Sequence, residues 1–391
     1  MVTIVLNIIS FVLIIKWFKN HHKDYKKLEK KLHFFKLNRF KSVIISLFVI
    51  LIPIIIINFT NFENTNHISD ELLLKNKAIF SVIISFLISF IWLIYIYRLD
   101  IFDKEKKRYI LLIVIISSIL TSFAEIPYHF IHSLGFTDVE NPINSFIYSV
   151  FGIGLIEETV KFIPLIIILW LTKAIDEPYD YILYASASAL GFSFIENAMY
   201  INQNGIEIIN ARALYATVAH MTFSSIIAYG LFLIKFKKTR LPAIIIFPFF
   251  YFLAIFSHGF YDFWLINKSV SMFSGLTTIF FLITVHIWFS IKNNTINTSN
   301  HYNELKSLDN DKLKIFLSIS LLSILMFSYV YVALKWNSKT ANVFFTKSVF
   351  AYGYIIFYII ATLSNFDLVK GFIKPFKISF NFLIPKNKKN N

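Results

Sequence analysis

Long apolar runs recur along nearly the whole of this 391-residue chain. The stretch SVIISLFVILIPIIIINF, residues 42–59, carries no charge. About 20 such residues in a helix cross the roughly 30 Å hydrocarbon core of a bilayer. Backbone amides find no water there, so each run must satisfy its own hydrogen bonds as a helix. Barrel strands would read as short stretches of alternating polarity, and the chain has none of that pattern. The hydropathy pattern predicts an all-α polytopic membrane protein of about eleven transmembrane helices. Their cores fall at 2–18, 42–59, 78–97, 109–123, 146–171, 181–201, 213–236, 242–266, 270–291, 313–334 and 348–363.

Composition and charge agree with this class. The chain is 57% hydrophobic and 16% charged, too apolar for an ordinary soluble fold. A net charge of +15 would suit a nucleic-acid partner, but the lysines and arginines gather in alternate loops. That is the positive-inside pattern, so the expected partner is the lipid bilayer and not nucleic acid. The first span lacks a basic leader and a small-residue cleavage site, and basic residues follow it (KWFKNHHKDYKKLEKK). It reads as a retained anchor with the N-terminus outside. Segments 16–41, 98–108, 235–240, 292–314 and the C-terminal tail are basic, whereas 125–145 is a loop without Lys or Arg. The alternation predicts a multi-pass protein of the cell membrane with its C-terminus in the cytoplasm. Segments 292–314 and 370–391 are read as solvated surface. The regions are two N-terminal spans with a basic loop (1–77), a core (78–292) and C-terminal spans with a basic tail (293–391). With no cysteine, disulfides, thiolate nucleophiles and thiolate metal ligands are excluded.

An ionisable residue inside a span costs a few kcal/mol or more unless it is paired or faces water. The first four spans are nearly clean. The fifth carries Glu157, Glu158 and Lys161 in GLIEETVKFIPL, and the sixth carries Glu196 and Asn197 in GFSFIENAMY. His220 lies in the seventh, and His258 and Asp262 lie in the eighth within FSHGFYDFW. Each has a bland explanation when taken alone: a neutralising Glu157–Lys161 pair, a Glu196 reaching interfacial water, a packed His220, a hydrogen-bonded His258–Asp262 pair. Depth argues for more. At 1.5 Å per residue, these groups all fall roughly 6–17 Å from the outer surface in the N-out topology. One site in the outer half of the bilayer, walled by spans five to eight, accounts for that convergence. Glu157 and Lys161 share a helix face at i,i+4, as do His258 and Asp262, and Gly259 and Gly191 permit close helix approach.

Carboxylates facing histidines in a buried, partly wet cavity are the parts of a water-activating site. The catalytic candidates are Glu157, Glu158, Glu196, His220, His258 and Asp262, with Lys161 and Asn197 in support. His220, His258 and Glu196 also form a ligand set for one divalent metal such as zinc, with a fourth position left for water. The chain contains no HExxH zinc motif and no GxGD partner for an aspartyl dyad. Ser186 and Ser188 lack a nucleophile turn.

The motifs EETVK (157–161), FSFIE with Asn197, His220 and HGFYD (258–262), with YRLDIFDKE ending the third span, resemble the PrsW-type intramembrane proteases. These belong to the wider group that includes the CAAX prenyl endopeptidases. The resemblance covers roughly residues 90–290. It implies a membrane-embedded endopeptidase acting on a membrane-protein substrate, of which a single-span anti-sigma factor is one class. It also implies that Glu157 activates water and that His258 and Asp262 stabilise the transition state. Glu196 stands where the prenyl endopeptidases carry a histidine, and the Arg of their EExxxR pattern is missing; both departures favour the PrsW type. Metal-dependent and metal-free mechanisms remain open at this point, as does the division of labour between Glu157 and Glu158. An ion- or proton-coupled transporter and a catalytically silent scaffold are the alternatives. A transporter predicts duplicated halves with broken helices, and no repeat is visible.

Overall fold

The structure, a computed structural model, describes residues 2, 5–16, 38–60, 70–135, 141–303, 310–366 and 368–373. Most of the basic segment 16–41, part of the loop at 60–77 and the tail beyond 373 lie outside the described residues. The regular elements are helices. They begin with α1 (Val5–Lys16), α2 (Asn38–Phe59), α3 (Asp70–Leu99), α4 (Lys107–Thr121) and α5 (Glu125–Ser133). Next come α6 (Pro142–Ile147), α7 (Leu155–Leu171), α8 (Pro178–Asn204), the single turn α9 (Ile209–Ala211) and α10 (Thr217–Lys235). The last four are α11 (Ala243–Ile266), α12 (Gly275–Asn297), α13 (Asn310–Lys335) and α14 (Ser338–Leu363). Two π-helical turns join neighbours without a break: Tyr148–Gly154 between α6 and α7, and Arg212–Ala216 between α9 and α10.

Among the described residues, seven helical stretches are long and apolar enough to cross a membrane, which defines a multi-pass helical membrane protein. Against an expected count of about eleven spans, α1 and the apolar part of α2, Ile44–Phe59, are shorter. The helices α7 and α8, which match the expected fifth and sixth spans, are not among the seven. The reason is chemical. Three ionisable groups interrupt α7, and α8 is enclosed by protein, with every residue from Pro178 to Ser193 buried. A helix packed on all sides needs small residues for close approach more than it needs a lipid-facing apolar surface, and ASASALG supplies them. α8 packs on α3, α4 and α10, and α10 packs in turn on α11 and α12. The outer helices expose bulky apolar side chains such as Phe48, Phe86, Leu111, Phe252 and Phe350.

Two expectations are corrected. Segment 125–145 is not simply a loop: Glu125–Ser133 forms α5, separated from α4 only by the turn at 122–124. Pro127 sits in its first turn, where the missing N–H costs nothing, and Tyr128 is carried toward α7. Segment 292–314 is not simply solvated surface: α12 runs on to Asn297, with Lys292, Asn294 and Asn297 at most 2% exposed. Residues 365, 366 and 368–372 fold over this end. Lys292 Nζ donates to the Asn365 carbonyl (2.7 Å), and the Val369 amide donates to Asn297 Oδ1 (2.9 Å). Hydrogen bonding makes burial of polar groups tolerable, a long-range effect that composition does not reveal.

The approach that builds the site is between α11 and the first π turn. A Cβ on Gly259 would lie 2.6 Å from the Ser149 carbonyl oxygen, and one on Gly154 would lie 2.6 Å from the Ile255 oxygen. Both obstacles are backbone, which cannot swing away. The other expected close approach is also present, since a Cβ on Gly191 would strike the Val114 carbonyl of α4. At the other end of the helices, Asp100 Oδ2 accepts the Glu105 amide (2.7 Å) and closes the α3–α4 connection.

Gly259→Ala is expected to cost about 1–3 kcal/mol or more through overpacking, seen as a lowered Tm in detergent. Gly353→Ala, which would meet only Val349 Cγ1 at 3.5 Å inside α14, should hold or raise the Tm, since Ala is favoured over Gly in a helix interior. Burial pushes the Asp100 carboxyl up to about 6, partly opposed by the Glu105 amide and Lys104. A raised acid contributes stability that is full below its unfolded value near 3.8 and is lost as pH rises through about 6. Asp100→Asn should therefore be more stable than wild type above pH 6, by up to about 3 kcal/mol, and equal to it in acid. Thermal melts across this range test the sign.

Candidate active site

Four helices deliver the ionisable groups, and each is aimed by local structure. The first π turn ends just before α7, three residues ahead of Glu157; the second ends just before α10, four residues ahead of His220. Such turns shift the helix face that follows them and are frequent at functional sites. The Gly154–Gly259 approach lays α11 against the start of α7, which sets His258 across from the two glutamates.

Every residue singled out in the spans enters one hydrogen-bonded network. Glu158 is fully buried and both its oxygens are taken: Oε1 accepts Lys161 Nζ (2.9 Å) and His258 Nδ1 (2.9 Å), and Oε2 accepts Ser224 Oγ (3.1 Å). Glu157 is held more loosely. Its Oε2 lies 3.4 Å from both Lys161 Nζ and His258 Nε2, and 4.0 Å from His220 Nδ1. Lys161 Nζ also lies 2.9 Å from His220 Nδ1 and 4.2 Å from the centre of the Phe192 ring. His220 Nε2 contacts Glu196 Oε2 (2.7 Å), and His258 Nε2 lies 3.3 Å from Asp262 Oδ2. Asn197 completes the wall through Ser193 and Thr217. Side-chain exposure rises from 0% at Glu158 and Lys161 to 7% at Glu157, 15% at Glu196 and 19% at Asp262. The site therefore has a dry side and a wetter side, with Glu157 between them.

Two members were missed in the sequence. The Tyr128 hydroxyl, from α5, donates to Glu157 Oε1 (2.9 Å). It was hidden because its segment reads as a connecting loop. Arg212 pairs with Glu196 Oε2, donates from Nε to Asn197 Oδ1 (2.6 Å) and lies over the Tyr200 ring. It falls one residue before the expected seventh span, whereas the helical stretch runs from Ile206 to Lys235. An arginine deep enough to reach Glu196 is the signal that an earlier helix start would have revealed.

The donor set fits a divalent metal. Glu157, His220 and His258 each offer one ligand atom, all within 4.8 Å of one another. The ring nitrogens turned away from Glu157 rest on Glu158 and Glu196, the carboxylate support typical of metal-bound histidines. With all acids and bases ionised and both histidines neutral, Glu157, Glu158, Glu196 and Asp262 outnumber Lys161 and Arg212 by two negative charges. A dication would offset that excess in a buried setting. The carboxylate that meets both histidines is Glu157; Glu196, expected in the ligand set, contacts His220 alone and is clamped by Arg212. Lys161 competes for His220 Nδ1.

A multi-pass helical membrane protein with a buried carboxylate–histidine centre is the class that the fold and site define. Residues 106–291 match the family model described as PrsW family intramembrane metalloprotease. Protease PrsW of Oceanobacillus iheyensis is 34% identical over 142 residues, covering 35% of this chain and 62% of that protein. Protease PrsW of Geobacillus kaustophilus is 35% identical over 120 residues, covering 30% and 51%. For Protease PrsW of Shouchella clausii the figures are 28% over 170 residues, with coverages of 43% and 75%. The chain thus spans less than two thirds of the length of the first two relatives. No solved structure matches. The resemblance read from the motifs is borne out: residues 106–291, which hold every residue of the site, are those that match the PrsW family model.

Breaking a buried pair on one side strands the other charge, at about 3–5 kcal/mol. Arg212→Gln should therefore lower the Tm more than Arg212→Gln combined with Glu196→Gln. A double-mutant cycle in thermal melts checks this coupling.

Proposed function

We propose that this chain is an intramembrane endopeptidase that hydrolyses a peptide bond in a membrane-anchored protein. The observation that carries this reading is the placement of Glu157, loosely held and slightly exposed, against His220 and His258, with Glu158 saturated beside it. Similarity to proteases of the PrsW name supports it. Glu158, fully buried with three donors on its two oxygens, holds Lys161 and His258 in place. Glu157 is the group left to meet a water.

In the metal-free form of the reaction, Glu157 takes a proton from water as the oxygen adds to the scissile carbonyl carbon. Tyr128 fixes Oε1 so that Oε2 faces the reacting water. His258, oriented by Glu158 and Asp262, donates to the developing oxyanion. Collapse breaks the C–N bond, and Glu157 returns the proton to the leaving amine. Glu196, clamped by Arg212, orients His220. In the metal-assisted form, Glu157, His220 and His258 would hold the ion, which would polarise the carbonyl and acidify a bound water.

The working core comprises residues 78–292, flanked by N-terminal spans (1–77) and C-terminal spans with a basic tail (293–391). Alternating basic loops support an outside N-terminus, a cytoplasmic C-terminus and a site in the outer half of the bilayer. A substrate with one span and an outward-facing cleavage point fits that depth. A single-span anti-sigma factor is the substrate class that the family resemblance supports.

In vesicles with a single-span test substrate, Glu157→Gln and His258→Ala are each expected to lower cleavage by about 100-fold or more at unchanged protein level. Full cleavage by both variants would sink the assignment of the site, whereas an absence of cleavage by wild type would favour a transporter or a silent scaffold. Cleavage that survives exhaustive chelation selects the metal-free form, and loss restored by zinc selects the other.

A further inference from the structure

At the start of α8, sixteen residues and about 24 Å along the axis from Glu196, a second set of carboxylates converges. Glu105, Asp176 and Asp180 each bring one oxygen within 4.8 Å of the other two. In a chain of net charge +15, a cationic side chain would be the usual partner. Among the described residues none forms an ion pair with any of the three. The nearby Lys104 turns its Nζ to the Tyr97 carbonyl instead (3.0 Å) and lies over the Tyr97 ring.

Asp180 supplies a separate observation. It is 1% exposed, and its Oδ2 accepts the Asp176 and Glu177 amides (3.1 and 2.7 Å) as part of the α8 cap. Its Oδ1 is buried with no hydrogen-bond partner. A buried carboxylate oxygen left bare is a costly exception in a folded protein and marks a place where an ion or water belongs. Glu105 is pinned beside it, since its Oε2 accepts the buried Tyr184 hydroxyl (2.5 Å). The donors are all oxygens, without imidazole or sulfur. That chemistry selects hard cations and disfavours zinc or copper.

We propose that Glu105, Asp176 and Asp180 bind one hard divalent cation of the calcium or magnesium kind, fastening the α3–α4 connection to the start of α8. The ion takes Asp180 Oδ1 as a ligand and bridges two connections that are also linked through Tyr184 on Glu105 and through His301 between Asp103 and Glu177. It is distinct from any metal of the histidine centre, which lies at the far end of α8 and offers nitrogen donors. Its effect is on the packing of α8, the helix that carries Glu196.

The test is Mn2+ binding followed by electron paramagnetic resonance on the full chain in detergent after chelator treatment, with Ca2+, Mg2+ and Zn2+ as competitors. Wild type is expected to bind an ion that Ca2+ or Mg2+ displaces. Asp176→Asn, at an exposed position that does not threaten folding, should lose it. Glu105→Gln should lose it as well, whereas Glu157→Gln should keep it. The Tm of wild type should rise on adding Ca2+ or Mg2+, and that of Asp176→Asn should not. Equal Mn2+ binding by wild type and Asp176→Asn would overturn the proposal. So would an absence of saturable binding at neutral and mildly alkaline pH, a proton then filling the cluster. Loss of the same ion in Glu157→Gln, or displacement by Zn2+ alone, would assign it to the histidine centre and overturn the proposal too.

Discussion

An ammonium group with no access to solvent governs how this protein can pack. Lys161 is 1% exposed and rests between Glu158, Glu157, His220 and the face of Phe192. A buried charge without partners is prohibitively costly, and one with well-placed partners is tolerable. Those partners come from α7, α8 and α10, and α11 joins them through His258 on Glu158, so all four helices must dock in register before the network is complete. The backbone participates as well, because Ser188 of α8 donates to the Lys161 carbonyl (2.6 Å). The polar centre is therefore a constraint on the fold as much as a product of it.

The same constraint gives the two adjacent glutamates different surroundings. Glu158, locked by Lys161, His258 and Ser224, spends its hydrogen-bonding capacity on positioning. Glu157, one residue earlier and about 100° around the helix, points to the edge of the dry region and meets Tyr128 and both histidines. Adjacent glutamates thus acquire unlike environments through helical rotation alone. The π turns ahead of α7 and α10 and the backbone contact at Gly154 and Gly259 hold those rotations. A lateral shift of α11 by the width of one methyl group would move His258 away from both carboxylates.

Much of the site was legible in the sequence because charges in apolar runs are conspicuous and their cost is local. Glu157, Glu158, Lys161, Glu196, His220, His258 and Asp262 stand out for that reason, and their common depth follows from helix rise. Tyr128 and Arg212 did not stand out. A tyrosine in a mixed segment and an arginine at a span boundary are ordinary until a partner is seen. The buried end of α12 was misread for the same reason, since Lys292 and its asparagine neighbours look solvated until Asn365, Val369 and Phe372 are placed over them.

By itself, then, the sequence determined the helical membrane class and the identity of most charged members of the centre. Both rest on properties of single segments: apolar length, helical period and the price of a lone charge in lipid. Tertiary structure alone decided which carboxylate meets which histidine, which glutamate is saturated, and that Tyr128 and Arg212 belong to the centre. Those outcomes depend on helix rotation and on contacts between residues far apart in sequence, as in His258 with Glu158, 100 positions earlier. Neither is encoded in the period of any one helix.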